Sequence, residues 1–314
     1  MKKLALAYAF IFVLSLFIGR LLFAPLHLNE LSRTILLDIR LPRVLTASLT
    51  GAALSLAGLA FQNIFRNYLA GPNILGVTSG SAFGAVLAIL LFATYNFYTV
   101  QAFAFFFGLV AVFLAYRLSR MVEGGVVGLL LAGIAVSAFF SSLVGLAKYM
   151  ADPYDKLPTI VFWLLGSLAG VSWETLRFFA LPLLIGIAGL ISLRWIFNML
   201  SLGDEEAQAL GVNVRLYRAI IIALAALAIS ATTAIAGAIG WVGLVSPHIA
   251  RLIVGYDNRR LVLASALVGA ILLLGCDDVA RAATSSELPL GVITSLVGAP
   301  ILVILLARKE RLRA

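Results

Sequence analysis

The feature that most constrains this chain is a succession of apolar stretches, each close to the length that crosses a bilayer. A helix rises 1.5 Å per residue, so about 20 apolar residues cover a hydrocarbon core ~30 Å thick. Strands of a membrane barrel would instead alternate over about 10 residues. Such stretches fall at Leu4–Phe23, Val44–Phe65, Ile74–Phe92, Phe97–Tyr116 and Val126–Leu146. Five more follow at Thr175–Trp195, Ala219–Ala236, Ile239–Val254, Leu261–Ala283 and Leu290–Leu306. They predict an all-α polytopic integral membrane protein with about ten transmembrane helices, in a single domain over residues 1–314. The Ile239–Val254 stretch is short and is interrupted by Pro247, so hydropathy alone also allows nine. Leu157–Leu168 is too short to span and is expected as a half-buried or re-entrant segment held against protein. The opening Met1-Lys2-Lys3 and its apolar run resemble a leader. The run is long for one, and no small-x-small cleavage site follows, so an uncleaved first span is expected.

Only 12% of residues are charged, where soluble domains carry about 25%. The net charge of +9 is dispersed between apolar stretches, which points to topology rather than to nucleic acid. With ten spans, most of the 23 lysines and arginines fall on the side that holds both termini. Both termini and the Asn198–Arg218 loop are therefore expected in the cytoplasm, with the chain in the cytoplasmic (inner) membrane. A single cysteine, Cys276, excludes an intrachain disulfide, and two histidines make a multi-ligand metal site unexpected. No metal or cofactor is expected on the chain itself.

Asn198–Arg218 is one of the most polar runs. Gly203 and Asp204 are expected to start a short helix, with the Asp204 side chain accepting from the first free amides. Glu205 and Glu206 then suit the positive end of the helix dipole. Ala207 and Leu210, three apart, are expected to share a face, and Gly211 to stop the helix in the left-handed conformation. A capped, part-apolar helix between two membrane segments fits either a merely ordered surface loop or a surface for another protein to dock. Small residues at Gly76, Gly80 and Gly84, and at Gly237, Gly240 and Gly243, mark close helix approaches.

Several runs, in order along nearly the whole chain, resemble one family. They are Ile39-Arg40-Leu41-Pro42-Arg43 with Gly51-Ala52-Ala53-Leu54 and Gly58, then Gln62 and Arg66-Asn67-Tyr68-Leu69-Ala70-Gly71-Pro72. Leu202-Gly203 through Ala207 to Leu210-Gly211 continues the match, as does Gly237-Ala238-Ile239-Gly240-Trp241-Val242-Gly243-Leu244-Val245-Ser246-Pro247-His248 with Arg251. Asp277, Ala280-Arg281 and Glu287-Leu288-Pro289-Leu290-Gly291 close it. Together these resemble the permease subunits of ATP-driven importers for cobalamin, haem and ferric siderophores. The chain departs from that pattern at Tyr68, where the family has Pro, and at Asn258, where it has His. Val126 and Val127 stand where cobalamin-type members carry hydroxyl residues ahead of Leu129-Leu130-Leu131-Ala132-Gly133.

The resemblance implies a homodimer with its pathway at the subunit interface, served by two cytoplasmic ATPase subunits and an extracytoplasmic substrate-binding protein. Arg40, Arg43 and Arg281 would dock the binding protein, against the plainer reading of cations snorkelling to headgroups. Leu202, Gly203, Asp204, Glu205, Glu206, Ala207, Leu210 and Gly211 would couple to the ATPase, and Gly124, Gly125, Val126 and Val127 would form an apolar gate. The chain holds no G-x-x-x-x-G-K-[ST] phosphate loop, so ATP and magnesium would sit on the partner and this chain would not be an enzyme. A metal chelate, most often a ferric complex, is the implied cargo; cobalamin, haem and a molybdate-type oxyanion stay open. His248 is expected as a buried histidine paired to backbone, Asp277 and Asp278 as local partners of Arg281, and the tryptophans as packing or interface anchors. The rival class is a secondary transporter or channel, which tends to carry intramembrane acids as ion relays. A structural scaffold would leave the capped loop without a purpose.

Overall fold

The structure is a computed structural model that describes residues 1–19, 30–92, 96–122, 125–284 and 286–311. The described residues fold entirely into helices and their connections: α1 (Lys2–Phe17), α2 (Glu30–Ile64), α3 (Val77–Leu91), α4 (Phe97–Met121) and α5 (Gly125–Met150). There follow α6 (Lys156–Leu165), α7 (Trp173–Ser192), α8 (Arg194–Leu202), α9 (Asp204–Ala209), α10 (Val214–Ala236), α11 (Val242–Val254), α12 (Asn258–Ala282) and α13 (Leu290–Arg311). Each predicted apolar stretch centres on a helix, although residues 74–76 precede α3 and residues 239–241 precede α11. The end of the first stretch falls outside the described residues, and the sixth divides at Leu193 into α7 and α8. Among the described residues, 6 helices are long and apolar enough to cross a membrane.

Helix α2 is the hub, with 83% of its apolar stretch buried. It can be so central because glycines let two other helices reach its backbone. A Cβ on Gly51 would lie 2.4 Å from the Gly269 carbonyl of α12, and one on Gly58 would lie 1.8 Å from the Gly243 carbonyl of α11. Without a hydrophobic drive between helices in lipid, such backbone-to-backbone packing is a main source of association. Pro247 does not break α11. Its missing N–H leaves the Gly243 carbonyl, one turn earlier, without its helical donor, and Gly58 packs against that same oxygen. Gly80 and Gly84 seat α3 on the backbone of α4 in the same manner, but Gly76 does another job. Its φ of +79° turns the short 3-10 segment Pro72–Leu75 into α3.

Helices α2 and α12 run antiparallel, which defines two ends. Arg43 meets Asp277 at one end, and Asn63 meets Asn258 at the other. Helix α6 is the short segment predicted to lean on protein. Its Ile160 is fully buried, and the backbone after it is closed by Ser167 N–H to Ala236 C=O at 2.8 Å and Leu290 N–H to Gly166 C=O at 2.9 Å. Non-helical backbone inside a bundle needs such partners. In contrast to α2, helices α5 and α7 bury only 33% of their apolar stretches.

Candidate functional site: the loop end, the arginine end and the recess between them

At the loop end, α8 stops at Leu202, α9 covers six residues, and α10 begins at Val214. Gly211 has a φ of +83°, as expected of a helix stop. The Val212 N–H reaches back to Ala207 C=O at 3.0 Å and the Gly211 N–H to Gln208 C=O at 2.8 Å. That pairing, with Val212 and Ala207 both buried, is the Schellman arrangement and its hydrophobic contact. Two details correct the expectation. Gly203, not Asp204, occupies the cap position, and no side chain caps the helix. Asp204 instead holds Arg218 at 2.8 Å and Arg66 at 2.7 Å, tying the loop to the starts and ends of the neighbouring long helices. Burial pushes the Asp204 carboxyl up, but hydrogen bonds and charges from Arg218 and Arg66 outweigh it and hold the group below the usual carboxylate range. Ala207 and Leu210 also part company: Ala207 is fully buried as the anchor, and Leu210 is exposed. Leu202 and Leu210 thus present apolar side chains on either side of the helix, with Glu205 and Glu206 exposed between them.

A second polar cluster at this end was not foreseen. Asn198 accepts from the Asn258 N–H at 2.8 Å and donates to Asp257 at 2.8 Å, while Asn258 and Asn63 pair at 3.3 Å. Hydrogen bonds from the Arg259 guanidinium, then from Asn198 and the Arg259 backbone, hold Asp257 far below the usual range. Asn258 is therefore the knot between α2, α8 and α12.

The arginine end gathers the three predicted docking cations around one recess of about 250 Å³, which Glu287 also lines. They are not loose surface charges. Arg40, Arg43 and Arg281 are buried within the chain. Arg43 donates to Asp277 at 2.8–3.2 Å and forks onto Glu287 at 2.9 and 3.0 Å. Arg281 pairs with Asp277 at 3.1 Å and with Asp278, and also donates to the Ser15 C=O. Ser15 closes the circuit by donating to Asp278 at 2.6 Å. Arg40 donates to the carbonyls of Leu16 and Phe17 at the end of α1. The physical reason is solvation: a guanidinium this buried needs carboxylates or carbonyls in place of water, and the chain supplies them. Residues 35–40, within the opening turns of α2, wind as a π-helix, a local underwinding common at functional sites.

Of the predicted gate, Gly124 lies outside the described residues. Gly125 has a φ of +55° and starts α5, Val126 is half-buried, and Val127 is exposed. Gly125 borders a cleft that also touches Asp204, Arg215 and Arg218, which puts the start of α5 beside the loop helix. Farther along α5, Ile134 and Ser137 face a recess of about 490 Å³, whose other walls are Asn73, Ile74, Trp241 and Leu244.

A model of the FecCD transport family matches residues 6–308. The chain belongs to that family. It is 41% identical, over 94% of its length and 88% of the relative's, to the molybdate import system permease protein MolB of Haemophilus influenzae. It is 40% identical to the hemin transport system permease protein HmuU of Yersinia pestis, over 91% and 87% of the two chains. With the vitamin B12 import system permease protein BtuC of Vibrio cholerae the identity is 37% over 95% and 90%. Its fold superimposes on a structure described as an inward-facing conformation of a metal-chelate type ABC transporter, with a TM-score of 0.92, 40% identity and 98% coverage of both chains. This FecCD chain is accordingly a membrane-embedded ABC importer permease.

Within the FecCD frame, the remaining expectations can be placed. His248 is half-buried rather than buried, and its Nε2 lies 2.9 Å from the Tyr68 C=O, so the backbone pairing holds. The Arg251 guanidinium stacks over the Tyr68 ring at 4.4 Å. Trp173 donates to the Leu37 C=O at 2.9 Å, and Trp195 carries Arg259 over its ring at 4.8 Å. Asp277 and Asp278 are indeed committed to Arg281, and Asp277 to Arg43 as well.

Proposed function

We propose that this chain is the pathway-forming half of a homodimeric importer in the cytoplasmic membrane, with both termini and the loop end in the cytoplasm. Two separate ATPase subunits would engage the loop end, and a substrate-binding protein the arginine end. The observation that carries the reading is the α9 element. A six-residue helix would not hold its shape alone. Here it is anchored by Ala207 and by the double grip on Asp204, while Leu202 and Leu210 are left outside. A rigid base with exposed apolar side chains is how a surface transmits a push from a partner. ATP chemistry belongs to that partner, and this chain contributes the moving helices.

The dimer reading is supported by α5, which buries little of itself and exposes Val127, Leu131 and Ile134 along one face. The gate proposal rests on the same face, with Gly124, Gly125, Val126 and Val127 at its start. The binding-protein proposal rests on the convergence of Arg40, Arg43 and Arg281 on one recess. Their internal ion pairs fix its shape, so docking there would work through a preset surface more than through free charge.

A metal chelate is the proposed cargo, an iron complex such as a ferric siderophore or haem first. The uncharged lining of the 490 Å³ recess suits an organic skin around a metal. A bare oxyanion is the second reading, and the molybdate-system relative at 41% identity is what favours it. Proteoliposomes holding the permease, its ATPase and its binding protein would be loaded in turn with radiolabelled ferric siderophore, hemin, cyanocobalamin and molybdate. ATP-dependent uptake of a chelate supports the proposal. Uptake of molybdate alone selects the second reading, and uptake without any ATPase rejects both.

A further inference from the structure

Trp241 stands in a backbone conformation that a bulky residue rarely adopts. Its φ is +66° and its ψ −39°, and the Val242 N–H bonds to the Gly240 C=O at 2.7 Å. Gly240-Trp241-Val242 is therefore a γ-turn of the positive-φ type, which is rare and strained. Among the described residues, the other non-glycine at positive φ is Arg66, at 45°. Arg66 is long and flexible, sits after the last turn of α2, and is held by Asp204. Trp241 has no ion pair to compensate it. Strain of this kind persists where the surroundings over-determine it, and it clusters at clamps and switches.

The surroundings show what the turn could move. Trp241 lines the 490 Å³ recess together with Ile134 and Ser137 of α5. Behind it is Gly298 of α13, where a Cβ would come within 2.4 Å of the Trp241 Cβ. Beside it Pro72 presses on Gly243, the second residue of α11. The Trp241 C=O accepts from the Leu244 and Val245 amides and so starts α11. Later along that helix, His248 and Arg251 engage Tyr68, two residues past Arg66. Arg66 in turn holds Asp204 at the start of α9. One contiguous set of contacts thus runs from the loop helix through residues 66–68 and α11 to the strained turn.

We propose that the recess is a compartment of the translocation path, and that the Gly240-Trp241-Val242 turn is the hinge that opens and shuts it, driven from the loop helix through α11. The inference rests on the permease reading and adds to it a positioning residue. Trp241 sets the recess by its ring and stores the bias of the switch in its backbone. No charged side chain lines the recess, so it passes cargo by shape.

The test uses the whole permease with its ATPase in nanodiscs, with Cys276 replaced by Ser and Ser137 by Cys. ATPase co-purification and ATP hydrolysis are scored first, because their loss speaks against the permease reading and not against the hinge. With both intact, the maleimide labelling rate at position 137 should differ about tenfold between nucleotide-free and ATP–vanadate-trapped complexes, as a change of dominant state requires. Trp241→Gly adopts positive φ freely. It should erase that difference and strongly reduce transport while hydrolysis continues. Trp241→Phe keeps both a ring and the strained backbone and should retain the state dependence. Equal labelling in both states of the Trp241 parent, or wild-type transport by Trp241→Gly, would overturn the hinge.

Discussion

Replacing Asp277 with Ala should do more damage than any other single change at the arginine end. The Asp277 side chain is fully buried, accepts from Arg43 at 2.8 Å and is ion-paired with Arg281 at 3.1 Å. Its removal leaves two buried guanidiniums each short of a carboxylate, and breaking a buried pair from one side costs about 3–5 kcal/mol. Glu287 offers an internal control. It binds the same Arg43 at 2.9 Å, but a third of its side chain is exposed, so water can replace it. Glu287→Ala should cost no more than about 1 kcal/mol. The gap of at least ~2 kcal/mol is more than tenfold in the folded population. Thermal unfolding of the two variants in the same detergent, followed by size-exclusion recovery of folded protein, measures it. A combined Arg43→Met, Asp277→Leu, Arg281→Met variant should recover much of the loss, since apolar replacement of a whole buried ion cluster is often neutral or better. If Asp277→Ala and Glu287→Ala unfold at the same temperature, the arginines are not held by Asp277, and the account of this end is wrong.

Gly58→Ala places a Cβ 1.8 Å from the Gly243 carbonyl and should cost about 1–3 kcal/mol or more by forcing α2 and α11 apart. Gly145→Ala meets open space, so comparable melting temperatures for the two would refute the crossing. Asp204 is held below its unfolded value, so its grip stabilises the loop above the ordinary carboxylate range and is lost as pH falls through the lower folded value. Hydrogen exchange of residues 203–213 should accelerate on acidification in the native chain. Asp204→Asn should exchange fast already at neutral pH, and an unchanged rate there would count against the clamp. Leu210→Asp, at an exposed position, should leave the fold intact and release the ATPase in co-purification. Gly211→Pro, which cannot take a φ of +83°, should disrupt the loop itself. Full ATP-driven uptake by both variants would remove the coupling role.

What the sequence made legible was mostly local. Runs of apolar residues located the helices, and the short Leu157–Leu168 segment was recognisable because 12 residues cannot cross a bilayer. Gly211 announced a helix stop because few other residues accept its backbone. The family resemblance also came from short runs in order. The misses share one cause, that side-chain partners lie far apart along the chain. Asp204 looked like a cap because its local context favours one, yet Arg66, 138 positions away, and Arg218 claim it. Arg40 and Arg43 looked like surface cations because the Arg40 partners lie 24 and 23 positions away, and Asp277 and Glu287 lie 234 and 244 positions from Arg43, whereas the Asp277 and Asp278 partners of Arg281 were readable one turn off. The Asn63–Asn258–Asn198 knot has no local signature at all. Trp241 is a third kind of miss: nothing in Gly240-Trp241-Val242 prefers a strained γ-turn, which is imposed by α13, Pro72 and the start of α11 together.

The clasp on the first helix has a consequence for how the protein is made. Ser15 bonds to Asp278, 263 positions later, and the Ser15 carbonyl accepts from Arg281. A ribosome adding about 5–20 residues per second needs tens of seconds to cover that interval. During that time the Ser15 end of α1 has neither Asp278 nor Arg281 to bind, and its polar tie is to Arg40 of α2. The Ser15 clasp on α1 therefore closes only after α12 has been made, whereas the Arg40 bonds to Leu16 and Phe17 can form as soon as α2 is in place. A variant that weakens Asp278 leaves this late clasp open in the finished protein, with α1 held at that end by Arg40.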